Sequence, residues 1–134
     1  MSEPIFLYVE DDATSRDVMR LLLKHGLKYN HVNIWEDSTD FAVKLAALSP
    51  KPTIIFLDIH VHPYDGFAML RMIRENPDYQ HTTVIALTAS VMNEEVNDLM
   101  HAGFDGGIAK PISQKAFPGI LQSVLNGEKI WYIV

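Results

Sequence analysis

The chain has 134 residues, 48% of them hydrophobic, with 17 acidic and 11 basic side chains and a formal net charge of −6. That length suits one domain with its own core, and the acidic balance, with no Lys/Arg stripe along any segment, argues against direct nucleic-acid binding. Absent cysteine excludes disulfides, thiolate catalysis and cysteine-based metal sites; no window approaches the roughly 20 apolar residues of a membrane span, and no basic leader precedes the first apolar run, so a cytoplasmic chain with a natural start at Met1 is expected.

Ile5 to Val9 is a short apolar run that empties into Glu10, Asp11 and Asp12. Three consecutive acids at the end of a buried strand repel one another and call for a positive neighbour. Ala13 to His25 mixes Val18, Met19, Leu21, Leu22 and Leu23 with charged residues, the pattern of an amphipathic helix on a sheet, and Gly26 stops it. Val32 to Trp35 reads as a second strand. Glu36 to Ser38 turn the chain into a helix whose buried side is Phe41, Ala42, Leu45, Ala46 and Leu48, ended by the two prolines of Ser49 to Pro52.

The organising stretch follows. Ile54 to Leu57 is β-branched and apolar, and it ends in one carboxylate, Asp58, the pattern of a strand buried on both faces that delivers its last residue to the carboxyl edge of a sheet. In open α/β sheets ligands sit at that edge. Gly66 to Glu75 is a third helix carrying Phe67, Met69, Leu70, Met72 and Ile73, closed by Asn76-Pro77. Val84 to Leu87 is the fourth strand, followed by Thr88, Ala89 and Ser90, and Val91 to His101 the fourth helix, with Val91, Val96, Leu99 and Met100 as its apolar positions.

Gly103 to Gly107 lead to a very short fifth strand at Ile108 and Ala109. Lys110-Pro111 then opens onto a last helix over Ser113 to Leu125, whose start shifts toward Phe117 because Pro118 is tolerated only near a helix start. The tail from residue 126, apolar over Lys129 to Val134 with Trp131 and Tyr132, reads either as an extra strand or intramolecular cover, or as a dimer or kinase contact.

Five strand–helix units with right-handed crossovers give an α/β fold, a doubly wound parallel five-stranded sheet covered on both faces. The strand ends then place Glu10, Asp11, Asp12, Asp58, Thr88 and Lys110 at one edge. Carboxylates without cysteine or histidine ligands suit a hard cation such as Mg²⁺, commonly shared with a phosphate. Asp58 can act as a nucleophile that carries a phosphoryl group, Lys110 supplies positive charge to its oxygens and Thr88 a hydroxyl donor. A zinc site from His60, His62 and Asp58 is an alternative by ligand type. Asp12 reads as the cap of the first helix rather than a ligand.

Val9-Glu10-Asp11-Asp12 with Arg16, Leu57-Asp58-Ile59 with Asp65-Gly66, Leu87-Thr88-Ala89 and Lys110-Pro111 together resemble the receiver domain of two-component response regulators, over about Ile5 to Leu125. The resemblance implies the flavodoxin-like strand order 2-1-3-4-5, known from the chemotaxis member of that family and carried over rather than deduced. It implies Asp58 as phosphoacceptor for a histidine kinase or a histidine phosphotransfer protein, with slow loss of the phosphate. Glu10, Asp11, Asp58 and the backbone carbonyl of His60 would hold Mg²⁺. Thr88, the Ala89 amide and Lys110 would receive the phosphoryl group, and the bond before Pro111 would be cis. A downstream protein would read the face made by the fourth helix, fifth strand and fifth helix; a homodimer is compatible with this.

Departures from the family pattern carry expectations of their own. The aromatic residue usual three positions before the lysine falls at Gly107, so the coupled threonine–aromatic switch cannot operate as such, and Phe104 is the nearest candidate to compensate. The proline usual four residues after the phosphoacceptor falls at His62, with Pro63 next. His60 and Ser90, at the positions that tune hydrolysis, are neither carboxylate nor amide, which implies a long-lived phosphate. With no appended DNA-binding or catalytic domain in these 134 residues, the output would be a protein contact or a relay role. The rival reading is a degenerate receiver acting as a constitutive interaction module; a phosphatase using a carboxylate nucleophile is disfavoured because no inserted cap would enclose its substrate.

Overall fold

The computed structural model describes residues 3–89 and 92–132. Strands β1 (Phe6–Val9), β2 (Val32–Trp35), β3 (Ile54–Asp58), β4 (Thr83–Thr88), β5 (Gly106–Ala109) and β6 (Trp131–Tyr132) form one parallel sheet in the order β2-β1-β3-β4-β5-β6. The order expected for the first five holds, and the correction is a sixth strand, built from the apolar tail, which pairs in parallel with β5. Thus Trp131 and Tyr132 take the extra-strand reading.

Helices α1 (Ala13–Arg20), α2 (Phe41–Ala47), α3 (Gly66–Glu75), α4 (Asn93–Ala102) and α5 (Phe117–Leu125) cover the sheet, and α1 runs on into a wider helical turn over Leu21–Gly26. Strand alternation splits the core in two. Leu7, Val9, Ile55, Leu57, Val84 and Ala86 face α2, α3 and α4, packing with Phe41, Met69, Ile73 and Leu99. Phe6, Tyr8, Phe56, Ile85, Leu87 and Ile108 face the other way, toward Met19 of α1 and Phe117, Leu121 and Val124 of α5. Every residue of β1 and β3 is buried, as expected for central strands of a two-faced parallel sheet. Among the described residues no helix is long and apolar enough to cross a membrane.

Local signals set the element ends. Asp12 caps α1 by accepting the Ser15 amide at 2.8 Å, and Asp65 caps α3 by accepting the Ala68 amide at 2.8 Å. Helix α5 begins at Phe117, with Pro118 in its first turn where a missing amide hydrogen costs nothing. Corrections fall on α2 and α4. Ala42 and Ala46 are exposed, because Phe41 and Leu45 alone fill the contact with the sheet; on α4 only Leu99 is buried, and Met100 is 44% exposed on the outer side. Val91 lies outside the described residues.

The new edge depends on glycine. A Cβ on Gly106 would stand 2.5 Å from the Ile130 carbonyl oxygen and 3.0 Å from Ile85 Cδ1, closer than atoms pack. The Gly107 amide donates to that same carbonyl at 2.9 Å. Gly106 therefore lets the tail backbone lie against β5, and the Gly107 amide ties it there. Gly106→Ala is expected to lower stability by about 1–3 kcal/mol through overpacking, to release the tail so that hydrogen exchange at the Gly107 amide accelerates, and to shift Trp131 fluorescence to the red; unchanged exchange at that amide would show that the tail does not rest on this approach.

Candidate functional site

Parallel strands put all their carboxyl ends at one edge, and the polar residues expected there converge. Glu10 follows β1 and is fully buried; Asp58 ends β3 at 4% exposure and Thr88 ends β4 at 3%. Asp11 is exposed at the rim. Carboxylate oxygens of Glu10, Asp11 and Asp58 all lie within 4.8 Å of one another. Lys110, just beyond β5, bridges two of them, with Nζ 2.8 Å from Glu10 Oε1 and 3.4 Å from Asp58 Oδ2. Its backbone amide donates to the Thr88 carbonyl at 2.9 Å, which fixes the lysine beside the end of β4, and the bond to Pro111 is cis.

The loop after Asp58 folds back over the carboxylate. The His60 amide approaches Asp58 Oδ1 at 3.3 Å, placing the His60 backbone at the site while its side chain is exposed. Ala89 follows Thr88 in the loop toward α4, and Ser90 lies outside the described residues. The side chains of His60 and His62 do not join the three-carboxylate group, so the alternative zinc set is not assembled among the described residues. Asp12 is a cap, as its Ser15 contacts show, and those hydrogen bonds hold its carboxyl below the usual range.

Three neighbours complete the site: Arg16, which accompanies the acidic motif in the sequence, and Tyr8 and Ser38, which the sequence patterns do not single out. The Tyr8 hydroxyl donates to Glu10 Oε1 at 2.7 Å, Arg16 Nη1 donates to the Glu10 carbonyl at 2.9 Å, and Ser38, fully buried, exchanges two 2.7 Å hydrogen bonds with the backbone of Tyr64. Tyr8 was legible in principle: it stands two residues before the acid on the same strand, hence on the same face, and a buried phenol needs a partner. Ser38 clamps the loop after Asp58 from the distant turn after β2, a contact no local pattern announces.

Electrostatics follow from crowding. Burial, followed by the neighbouring Asp58 carboxyl, raises the pKa of Glu10 against the opposing pull of Lys110 and Tyr8. For Lys110 burial acts to lower the value, but the Glu10 and Asp58 carboxylates outweigh it and hold the ammonium above its usual range. Burial and the bond to Glu10 raise Tyr8, so its hydroxyl stays protonated and donates. A buried strand-end carboxylate flanked by two more, a shared lysine and a hydroxyl is an arrangement of hard oxygen donors able to hold a divalent cation, with one carboxylate placed to accept an electrophile.

The sequence matches the response regulator receiver domain family over residues 6–122. The chain belongs to that family. Receiver domains are the phosphorylation-dependent switches of two-component signalling. This receiver is 28% identical to response regulator Rre1 of Synechocystis, over 93% of this chain and 53% of Rre1, and 31% identical to the signal transduction histidine-protein kinase BarA of Escherichia coli, over 91% of this chain and 13% of BarA. The chain thus spans about half or less of the length of these relatives. Its backbone superposes on the chemotaxis response regulator CheY4 of Vibrio cholerae with a TM-score of 0.80 at 20% identity, covering 92% of this chain and 99% of that one, a likeness of fold.

In this receiver the carboxylates repel and Lys110 offsets them, so the two sides of the balance separate by mutation. In buffer without divalent cations, Asp58→Asn is expected to stabilise the fold by about 1 kcal/mol by removing one crowded charge. Lys110→Ala is expected to destabilise it by about 3 kcal/mol by leaving buried Glu10 without its cation. Thermal unfolding of the two variants checks the order, and a reversed order would refute the balance.

Proposed function

We propose that this chain is a signalling switch or phosphorelay acceptor in which Asp58 takes a phosphoryl group from the phosphohistidine of a histidine kinase or a histidine phosphotransfer protein. The observation that carries the reading is the Lys110 ammonium shared between Glu10 and Asp58, inside a cluster of three carboxylates at the strand ends. An Asp58 oxygen attacks phosphorus, the nitrogen–phosphorus bond breaks, and the imidazole leaves with the bonding pair and takes up a proton; the product is an acyl phosphate. The protein's part is to position and to balance charge.

Glu10, Asp11, Asp58 and the His60 carbonyl are the residues that would hold Mg²⁺, whose chemistry is to neutralise charge on the transferring oxygens. Three carboxylates within reach of one another fit that ion's preference for oxygen ligands. Lys110 pairs with the phosphoryl oxygens, the Thr88 hydroxyl donates to them, and the Ala89 amide adds a neutral donor. The intact acids and lysine favour this reading over a constitutive interaction module. The domain is not an enzyme toward an external substrate; its chemistry is acceptance of phosphate and slow loss of it, slow because exposed His60 offers no carboxylate or amide to orient water.

The output assigned in this reading is a protein contact on the face of α4, β5 and α5, in the cytoplasm, with a homodimer compatible. Phosphorylation adds charge and acceptor oxygens and shifts the balance between nearby conformations. Gly107 brings no ring to the site, and Phe104, buried and edge-on to Phe67 with centroids 5.9 Å apart, is committed to the core. The response should therefore concentrate in the loop after β4 and the start of α4.

Intact mass after incubation with Mg²⁺ and acetyl phosphate, beside an Asp58→Asn control, tests the acceptor. One added phosphoryl group, missing in the control, is expected; no gain over a range of donor and metal concentrations would turn the reading toward a constitutive module. Amide shifts with and without a phosphoryl mimic test the response, and broad changes through β5 would contradict the confined one.

A further inference from the structure

Tyr8 and Glu10 stand two residues apart on and just past β1, so alternation sends both side chains to the face covered by α1 and α5. Both are fully buried. The phenol donates to Glu10 Oε1 at 2.7 Å, and the Lys110 ammonium reaches the same oxygen at 2.8 Å. Glu10 Oε2 takes the longer contact from the Asp12 amide at 3.3 Å. One oxygen is doubly held and the other is lightly held.

The two donors on Oε1 are not equivalent. Lys110 is shared with Asp58 Oδ2, 3.4 Å away, and a phosphoryl group on Asp58 adds anionic oxygens that draw the ammonium toward themselves. A buried carboxylate that loses its cation is destabilised unless another donor remains. The tyrosine is such a donor. Its ring stands edge-on to Phe56, with centroids 6.5 Å apart in the packed core, so its hydroxyl is directed at Glu10 whatever Lys110 does.

We propose that Tyr8 is a positioning residue for phosphoryl acceptance: its hydroxyl anchors Glu10 through Oε1, which leaves Oε2 available to a divalent cation and holds the carboxylate in place when Lys110 moves to the phosphoryl group. The Lys110 step rests on the phosphoacceptor reading above, and the cation step on the carboxylate cluster alone.

Tyr8→Phe removes the hydroxyl and keeps the ring and its packing. The experiment uses the full chain as wild type, Tyr8→Phe, Lys110→Ala and the double variant, with Mg²⁺ affinity read from backbone amide shifts and phosphoryl uptake from intact mass with acetyl phosphate. Loss of one charge-assisted hydrogen bond is expected to weaken Mg²⁺ binding about fivefold and slow uptake about tenfold. In the Lys110→Ala background, where the phenol is the last donor on Glu10 Oε1, the same change should slow uptake by a larger factor, about thirtyfold, whereas a merely structural defect would slow both backgrounds by one factor. Unchanged Mg²⁺ affinity, or equal slowing in the two backgrounds, would overturn the proposal. If the wild type binds Mg²⁺ yet takes up no phosphoryl group, the phosphoacceptor reading fails, and the Mg²⁺ constants alone judge Tyr8: weakening supports the anchor and no change refutes it.

Discussion

Three carboxylates cannot be brought within 4.8 Å of one another, with two of them nearly sealed from water, unless positive charge and hydrogen-bond donors come with them. The strand ends meet that requirement with Lys110, delivered by β5 from the far side of β3 and tied to Thr88 through its backbone. The rest of the active edge is arranged around this balance. Arg16 holds the Glu10 backbone from α1, Tyr8 holds its side chain from within the core, and the His60 amide closes over Asp58. The charge balance at Asp58 is therefore tied to β1, β5 and α1 through direct contacts.

At the lateral edge of the sheet formed by β5 and β6 the constraint is steric. Ala86 on β4 lies beside Gly107 on β5, and Gly107 beside Trp131 on β6, so a lateral row of side chains runs from Leu57 through a methyl group and a gap to an indole. The small residues in the middle make room for the large one at the end. Trp131 packs against the cluster that contains Leu99 of α4 and Phe104. The surface beside β5 and α4 is thus partly built from the tail, outside the five-unit core.

Much of the fold was legible because its signals are local. Short β-branched runs ending in acids mark buried parallel strands, and the capping residues Asp12 and Asp65 and the early Pro118 mark helix ends through contacts within three residues. The apolar pattern was less informative on α2, where alanines fit either an inner or an outer face, and on α4, where Met100 turns outward. Alanine buries too little area to orient a helix, and a helix resting on a sheet through one leucine leaves its other apolar residues to the surface.

By itself the sequence determined the five strand–helix units, the acids after the first and third strands, the hydroxyl after the fourth and the lysine after the fifth, because covalent order and periodicity put each at the end of its own strand. The family resemblance supplied the strand order, which periodicity does not encode. Only the tertiary structure decided the pairings across the site: Lys110 with Glu10 as well as Asp58, Ser38 with the loop after Asp58, and the tail with glycine-lined β5. These contacts join residues far apart in the chain, and their partners are chosen by the space left at a sheet edge and by the need to satisfy buried polar groups. Neither quantity exists until the sheet has formed.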